Sequence, residues 1–418
     1  MSDDPWLLPP HTTLFYIGPP KTGTTAVQAA AAACLEELLG HGVLYPGKDV
    51  NHRKAVNAFL ERGFGWRVEG ERVSSATSIG VWTALLDEIR AEKDRRIWFG
   101  HEYAASATQE QAQQWRDELG PSLHIALTLR PYAKMLPSMW QETLKRNGGR
   151  GSFEGWLKKV LKPKKVGGPE RRVRYDHAAL IDRWCGLVGP ENVTVVPLDP
   201  RDHNHSFHAF ERMLGLPRDL LLRAAPGGRS VNRSLTVPEA ELLRRLNGVI
   251  RDNDVEWLNH EWLVYHGATG RFVLRTPGAD EARLQLPGWA HELALQQEQV
   301  VLAAIRDTGV RVLGEVANLE SRPDPGPFVD HRHVDSIPID LAVEAIAGTV
   351  AAAIGRDAHF ERTEESAMRK IRRDVTYNWR GMLQEIGSRA VGKVRGLGRL
   401  PAELAGRVSA RLQGKSSD

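Results

Sequence analysis

Short apolar runs alternate along the first half of the chain with longer segments whose apolar residues recur at helical spacing. Apolar runs of this kind are typical of buried parallel strands, and intervals of three and four residues are typical of amphipathic helices. The predicted strands are Leu14–Ile17, Val43–Tyr45, Arg96–Phe99, Ile125–Leu129 and Val193–Pro197. The predicted helices are Thr24–Leu39, Arg53–Arg62, Ile79–Glu92, Gln109–Leu119, Tyr132–Asn147, Phe153–Val160, His177–Leu187 and Phe207–Leu214.

This alternation predicts an α/β fold with a parallel sheet flanked by helices on both faces. After Leu235 the pattern becomes helical. We therefore expect three parts, which are a core over residues 1–240, a helical C-terminal extension over 241–366 packed on the core, and a basic amphipathic or flexible tail over 367–418. Because right-handed crossovers bring the carboxyl ends of parallel strands to one edge, ligands are expected at that edge.

The segment after the first predicted strand indicates an anion site. Thr13–Thr25 reads TLFYIGPPKTGTT, an apolar strand followed by a tight turn and the start of a helix. A helix start presents unpaired N–H groups, and Lys21 adds a full positive charge while Gly23 permits close approach of a ligand. The hydroxyl groups of Thr22, Thr24 and Thr25 are further expected donors. Together these groups predict a cradle for phosphate or sulfate.

A second anion motif follows the strand predicted within His124–Arg130. Arg130 ends this strand, and Ser138 lies on the helix predicted directly after it. Arginine provides a forked and permanently charged grip on phosphate, and serine provides a hydroxyl donor. Pro137 lies inside the predicted helix and is expected to kink it or to delay its start.

The order of residues in the first motif distinguishes it from a nucleotide-triphosphatase loop. That loop places Lys directly after its second Gly, whereas Lys21 precedes Gly23. The order strand–GPPKTGTT–helix resembles the 5′-phosphosulfate loop of sulfotransferases that use 3′-phosphoadenosine 5′-phosphosulfate (PAPS). Arg130 and Ser138 resemble the 3′-phosphate site of the same family. The resemblance covers about residues 12–240 and implies a P-loop-like sulfotransferase fold.

The resemblance implies transfer of a sulfuryl group from PAPS to a hydroxyl of a carbohydrate, glycosylated metabolite or lipid, with release of adenosine 3′,5′-bisphosphate. Lys21 would meet the bridging oxygen of the donor, supported by the N–H groups of Thr22–Thr25, and no metal would be required. A later loop, Gly227–Leu235, loosely resembles the family's loop over the 3′-phosphate, which makes Arg229 a further expected contact.

Three residues are alternative bases for the acceptor hydroxyl. His101 and Glu102 directly follow the predicted strand Arg96–Phe99, and only one of them is expected to point inward because side chains alternate along a strand. His101 matches the catalytic histidine of relatives that act on small molecules. Glu102 and His52 lie near the positions that carbohydrate-acting relatives use.

Charge is distributed unevenly along the chain. The net charge is +4, but residues 367–418 hold twelve Lys or Arg and four Asp or Glu, which gives +8 there and −4 elsewhere. Another basic segment, Lys158–Arg174, has Gly-Gly-Pro at its centre and is expected to be either a solvated loop or a lid that attracts an anionic acceptor. The two cysteines cannot form a disulfide framework, so a reducing cytoplasmic location is expected.

The interleaved apolar and basic residues of the tail favour either contact with the inner face of an anionic membrane or a frayed end. Nucleic acid is not an expected partner, because the rest of the chain is nearly neutral and the basic segments hold few aromatic residues. The expected partner is a small-molecule or glycan acceptor. Two alternatives to the sulfotransferase hypothesis are a kinase-like enzyme that uses a nucleoside triphosphate and a non-catalytic nucleotide-binding protein at a membrane surface.

Overall fold

The computed structural model describes residues 4–47, 49–63, 65–66, 77–162, 175–225, 233–272, 274–322 and 328–356. The predictions for Arg229, for the centre of the Lys158–Arg174 segment and for the basic tail lie outside these ranges. The chain divides into two compact units, residues 1–350 and 351–418, and only residues 351–356 of the second unit are described.

Within the described ranges, six strands form one parallel sheet in the order β2-β3-β1-β4-β5-β6. The strands are β1 (Thr13–Tyr16), β2 (Val43–Leu44), β3 (Arg96–Gly100), β4 (Leu123–Leu129), β5 (Val193–Pro197) and β6 (Arg311–Val312). In the register of the central strands, Phe15 of β1 lies beside Phe99 of β3 and Ile125 of β4. The parallel sheet with its flanking helices confirms the predicted α/β fold.

Helices account for most of the remaining described chain. They are α1 (Thr24–Ala33), α2 (Leu35–Gly40), α3 (Arg53–Phe59), α4 (Gly80–Ala91), α5 (Gln109–Leu119), α6 (Tyr132–Asn147), α7 (Phe153–Leu161), α8 (His177–Val188), α9 (His205–Leu214), α10 (Leu220–Ala224), α11 (Val237–Asp252), α12 (Trp257–His260), α13 (Thr269–Phe272), α14 (Gly288–Thr308) and α15 (Ile339–Ala353). A π-helix spans Glu261–Ala268, and a 3₁₀ turn spans Glu102–Ser106. Among these described elements, no helix has the length and apolar character needed to cross a membrane.

The two faces of the sheet bury separate sets of side chains. Phe15 points to the face covered by α3 to α8, α11 and α14, where its ring stacks on Phe99 at a centroid distance of 4.6 Å. Leu14 and Tyr16 point to the opposite face, which α1, α2, α9 and α10 cover. This alternation follows from the two-residue period of a strand.

The chain changes direction between β1 and β4, which are neighbours in the sheet. It leaves β1 through α1 on one face and leaves β4 through α6 on the other. Such a reversal opens a crevice at the carboxyl ends of the two strands, which is where ligands bind in open parallel sheets. Both anion motifs of the sequence lie at this crevice, one after β1 and one after β4.

Two differences from the predicted elements are larger than shifts of one to three residues at an element's end. The predicted helix Thr24–Leu39 is two helices, because Cys34 leaves helical backbone geometry between α1 and α2. The sheet also extends beyond residue 240, because β6 lies inside the segment predicted as a helical extension and pairs with β5. A strand of two residues is too short to carry a periodic signal.

Candidate active site

The loop from Ile17 to Gly23 ends in a helix start that lacks a capping side chain. Lys21 and Gly23 have positive φ angles of 70° and 81°. Residues with side chains rarely adopt this conformation, and those that do are found most often at ligand sites. Because the N-cap residue of α1 is Gly23, it has no side chain to accept from the first-turn N–H groups. Helix starts of this kind bind anions.

Hydroxyl contacts and close packing hold this loop against β4. The Thr22 hydroxyl donates to the carbonyl oxygen of Pro19 at 2.6 Å and lies 2.7 Å from the hydroxyl oxygen of Thr128. The Tyr16 hydroxyl lies 3.0 Å from the same Thr128 oxygen. A Cβ atom on Gly18 would lie 2.3 Å from Thr128 Oγ1, so glycine is required there. The Thr22 hydroxyl, expected to face the ligand, is therefore engaged inside the protein.

The ammonium group of Lys21 is paired across the crevice with a carboxylate on α6. Lys21 Nζ donates to Glu142 Oε2 at 2.6 Å, and the other carboxylate oxygen accepts from Arg146 Nε at 2.7 Å. The Arg146 guanidinium also bonds the hydroxyl of Tyr265 and lies 4.2 Å from the centroid of its ring. Sequence reasoning missed this series of contacts from Lys21 through Glu142 to Arg146. The four-residue spacing of Ser138, Glu142 and Arg146 nevertheless places all three on one face of α6.

Glu102 is the predicted base that lies beside the loop. Its carboxylate accepts a hydrogen bond from the Thr24 hydroxyl at 2.9 Å, so it joins the start of α1 to the 3₁₀ turn after β3. Burial raises the pKa of Glu102, against the opposing effects of the Thr24 hydrogen bond and the Lys21 charge. A carboxylate with a raised pKa is a better proton acceptor than an exposed one. The Thr24 hydroxyl, like that of Thr22, is engaged by protein, whereas Thr25 is exposed.

His101 makes a different hydrogen bond from Glu102. Its Nδ1 accepts a hydrogen bond from the backbone N–H of Tyr103 at 3.2 Å. Burial, followed by the charge of Arg53 and of other nearby cations, lowers the pKa of His101 to about 3. The imidazole is therefore neutral near pH 7.

Both ring nitrogens of His52 are engaged by backbone groups. Its Nε2 lies 2.8 Å from the carbonyl oxygen of Pro46, and its Nδ1 accepts from the N–H of Gly100 at 3.2 Å. Burial lowers the pKa of His52 to about 4. This arrangement ties the start of α3 to the end of β3, and we assign His52 no proton transfer in the proposal below.

Arg130 lies at the end of β4, as predicted, and has no partner among the described residues. Its guanidinium makes no hydrogen bond or ion pair there, and burial lowers its pKa. Ser138 lies two turns into α6, with Oγ 3.4 Å from the carbonyl oxygen of Lys134. The start of α6 at Tyr132 is not delayed by Pro137, which stands inside the helix.

Lys145, on the last turn of α6, is a further cation of the crevice. Burial, followed by the charge of Lys21, lowers the pKa of Lys145 to about 8. Its ammonium group makes no hydrogen bond or ion pair within the described part of the chain. No sequence signal marked Lys145 as part of the crevice, because a basic residue in the last turn of a helix is common.

The structure thus brings Lys21, Thr24 and Glu102 together at one point, with Arg130 and Ser138 on the neighbouring strand and helix. No protein-family model and no curated protein matches this chain. The solved structure of a sulfotransferase from Alicyclobacillus acidocaldarius is similar to it at 17% sequence identity and a TM-score of 0.36. The match covers 61% of this chain and 96% of that one.

Proposed function

We propose that this protein is a sulfotransferase that moves a sulfuryl group from PAPS to an acceptor hydroxyl and releases adenosine 3′,5′-bisphosphate. The observation that supports this most directly is the pairing of two anion-binding points at one crevice. Lys21 and the uncapped start of α1 follow β1, and Arg130, which has no partner within the described ranges, follows the adjacent β4. PAPS carries anionic groups at both its 5′ and 3′ positions, which suits two such points.

Each anion-binding point has a role in this proposal. The N–H groups at the start of α1 and the Lys21 ammonium hold the 5′-phosphosulfate. Arg130 binds the 3′-phosphate through its forked guanidinium, with the Ser138 hydroxyl as a second donor. Thr22 and Thr24 contribute backbone N–H groups, because their side-chain hydroxyls are engaged by Thr128 and Glu102.

The reaction is an in-line displacement at sulfur. The acceptor oxygen forms a bond to sulfur while the bond from sulfur to the phosphate oxygen breaks, and negative charge develops on that oxygen. Lys21 stabilises this charge, since a fixed cation in a partly buried site lowers the barrier. Glu102 takes the proton from the acceptor hydroxyl, for which its raised pKa is suited.

Isothermal titration of the full chain with adenosine 3′,5′-bisphosphate, without metal and beside Mg²⁺-ATP, tests the nucleotide class. We expect binding of the bisphosphate, weakened at least tenfold in Arg130→Ala. We expect Lys21→Ala to retain more of this binding but to lose most release of bisphosphate from PAPS in the presence of acceptors. The exposed Arg95, which pairs with Glu92, provides the matched control Arg95→Ala.

Binding of Mg²⁺-ATP alone would overturn the sulfotransferase proposal and favour the kinase-like alternative. Tight binding of the bisphosphate without turnover of any acceptor would favour the non-catalytic alternative. Full turnover by Lys21→Ala would show that the Lys21 ammonium group does not stabilise the charge on the leaving oxygen.

A further inference from the structure

The outer face of α15 presents a continuous stripe of apolar side chains to solvent. Residues of an α-helix that are three, four, seven or eleven positions apart lie on one side of it. Four residues at this spacing are 81%, 55%, 64% and 47% exposed, in the order Ile339, Val343, Ile346 and Val350. By the same spacing, the small Ala342 lies beside them. These four exposed residues are called the apolar face of α15 below.

The charged residues of α15 lie on its other sides and are paired. Asp340 accepts a hydrogen bond from Arg275 Nε at 2.6 Å, and Glu344 accepts one from Arg271 Nε at 2.5 Å. The fully buried Leu341 lies opposite the apolar face. Because α15 contains no other charged residue, its apolar face carries no charge of its own.

The inner side of α15 packs closely on the π-helix. A Cβ atom on Gly348 would lie 2.3 Å from the carbonyl oxygen of Gly267, so glycine is required for the two helices to come this close. The Thr349 hydroxyl also lies 3.4 Å from the carbonyl oxygen of Leu263. These contacts orient α15 so that its apolar face points away from the π-helix.

The dimensions of the apolar face suit a bilayer better than a second protein. From Ile339 to Val350 the face is about 17 Å long, at a rise of about 1.5 Å per residue, and a helix is about 10 Å wide. A stable protein–protein interface buries about 800 Å² on each partner, which a strip of this size does not provide. At a membrane surface, by contrast, one apolar side of a single helix enters the boundary between headgroups and acyl chains.

The chain that follows α15 carries the charge that an anionic bilayer attracts. Residues 357–418 lie outside the described ranges and hold thirteen Lys or Arg and eight Asp or Glu. Within them, residues 367–418 have twelve Lys or Arg and four Asp or Glu, a net charge of +8. Basic segments are attracted to anionic lipids, and an apolar surface combined with such a segment provides the two contributions that stable peripheral binding requires.

We propose that the apolar face of α15 docks on an anionic lipid bilayer, with α15 parallel to the membrane surface. The positive charge of residues 367–418 strengthens the contact by attracting anionic headgroups. This inference goes beyond the proposed sulfotransferase function and does not depend on it. Docking in this way leaves the π-helix, whose Tyr265 bonds Arg146 at the crevice, directly behind α15.

Cosedimentation of the full chain with lipid vesicles tests this inference. Vesicles of phosphatidylcholine alone are compared with vesicles that also contain phosphatidylglycerol. We expect at least tenfold tighter binding to the anionic vesicles, and we expect Ile346→Asp to weaken that binding at least tenfold. Ile346→Leu should preserve it. Val249→Asp is the matched control, because Val249 is 61% exposed on α11 and the substitution adds the same charge.

A fluorescent label measures the contact at the apolar face directly. Cys34 and Cys185 are buried, so a thiol-reactive and polarity-sensitive dye attaches preferentially at Ile346→Cys or, in the control, at Val249→Cys. We expect anionic vesicles to shift the emission to shorter wavelength at position 346 only.

Each alternative occupant of the apolar face gives a different result. Failure to bind anionic vesicles, or binding that is unchanged in Ile346→Asp, would overturn the inference, the second result because the basic residues alone would then account for the contact. A lipid-free dimer that Ile346→Asp dissociates in sedimentation velocity would overturn it in favour of a second copy. Blue-shifted emission at position 346 in a lipid-free monomer would overturn it in favour of the chain's own residues. Failure to bind adenosine 3′,5′-bisphosphate would overturn the proposed function and leave this inference standing.

Discussion

At the scale of the residue, Lys145 differs from the arginines of the crevice because it loses its charge near physiological pH. Burial, followed by the charge of Lys21, lowers the pKa of Lys145 to about 8. Arginine remains protonated throughout this range. The positive field around Lys21 therefore weakens as the pH rises above about 8.

We expect this loss of charge to appear in the pH dependence of catalysis. The ratio kcat/KM for PAPS should fall above pH 8, where Lys145 becomes neutral. In Lys145→Arg the charge persists, so the alkaline decline should move to higher pH. Initial rates between pH 6 and 10 for both proteins check this. An identical alkaline decline in the variant would contradict the assignment.

Sequence reasoning placed Lys21 and Arg130 at the crevice from local order, but it missed residues that reach the crevice only when the fold assembles. Lys21 and Arg130 stand at the ends of predicted strands, and parallel topology brings such ends to one edge. Glu142, Lys145 and Arg146 become part of the crevice because α6 passes across the loop that follows β1. That crossing depends on how α6 packs, which its own sequence does not specify.

At the scale of the element, the turn from β1 into α1 depends on the absence of a side chain at Gly18. A Cβ atom there would lie 2.3 Å from Thr128 Oγ1 and 3.0 Å from the Thr128 backbone nitrogen. Backbone cannot move aside as a flexible side chain can. The position of the loop, and with it that of Lys21, is therefore fixed by contact between neighbouring strands.

We expect Gly18→Ala to lower the free energy of unfolding by about 1–3 kcal/mol, the usual cost of overpacking. It should also weaken bisphosphate binding at least tenfold, because the loop must shift. Urea denaturation and isothermal titration measure the two effects. Gly248→Ala in α11 is the matched control, since nothing lies within 4 Å of its added Cβ atom. Equal effects of the two substitutions would refute the packing argument.

Most predicted elements lie within one to three residues of their predicted ends, and the larger departures have a common cause. Gln109–Leu119 and Tyr132–Asn147 were predicted with the observed boundaries, because their apolar residues recur regularly over three or more turns. The spacing of apolar residues does not change at the remaining features, which are the break at Cys34, the two-residue β6 and the π-helix Glu261–Ala268. These features depend on tertiary contacts, which a local window does not contain.

At the scale of the whole molecule, several histidines are buried in neutral form. Burial lowers the pKa of each, to about 4 for His52 and about 3 for His101, His124 and His177. In the unfolded chain histidine titrates near 6.5. Between these values the unfolded state binds protons that the folded state excludes, so stability is lost as the pH falls below about 6.5.

We expect the midpoint of urea unfolding to fall steadily between pH 7.5 and pH 5. Each buried histidine contributes a slope of up to about 1.4 kcal/mol per pH unit. Replacing buried His124 with Gln should reduce this slope, whereas His11→Asn at an exposed position should not. A midpoint that stays constant over this range would contradict the assignment of these histidines as neutral.

The ion pair between Lys21 and Glu142 has a consequence for which anions the crevice admits. The two side chains are 30% and 26% exposed, so the pair itself is worth no more than about 1 kcal/mol. Even so, a small anion such as free phosphate must compete with a carboxylate already in place. A ligand that also reaches Arg130 and the amides of α1 offsets that competition through its other contacts. Glu142 therefore competes with the ligand for Lys21. As a result, the affinity of the crevice for a ligand depends on the spacing of the ligand's charges as well as on their number.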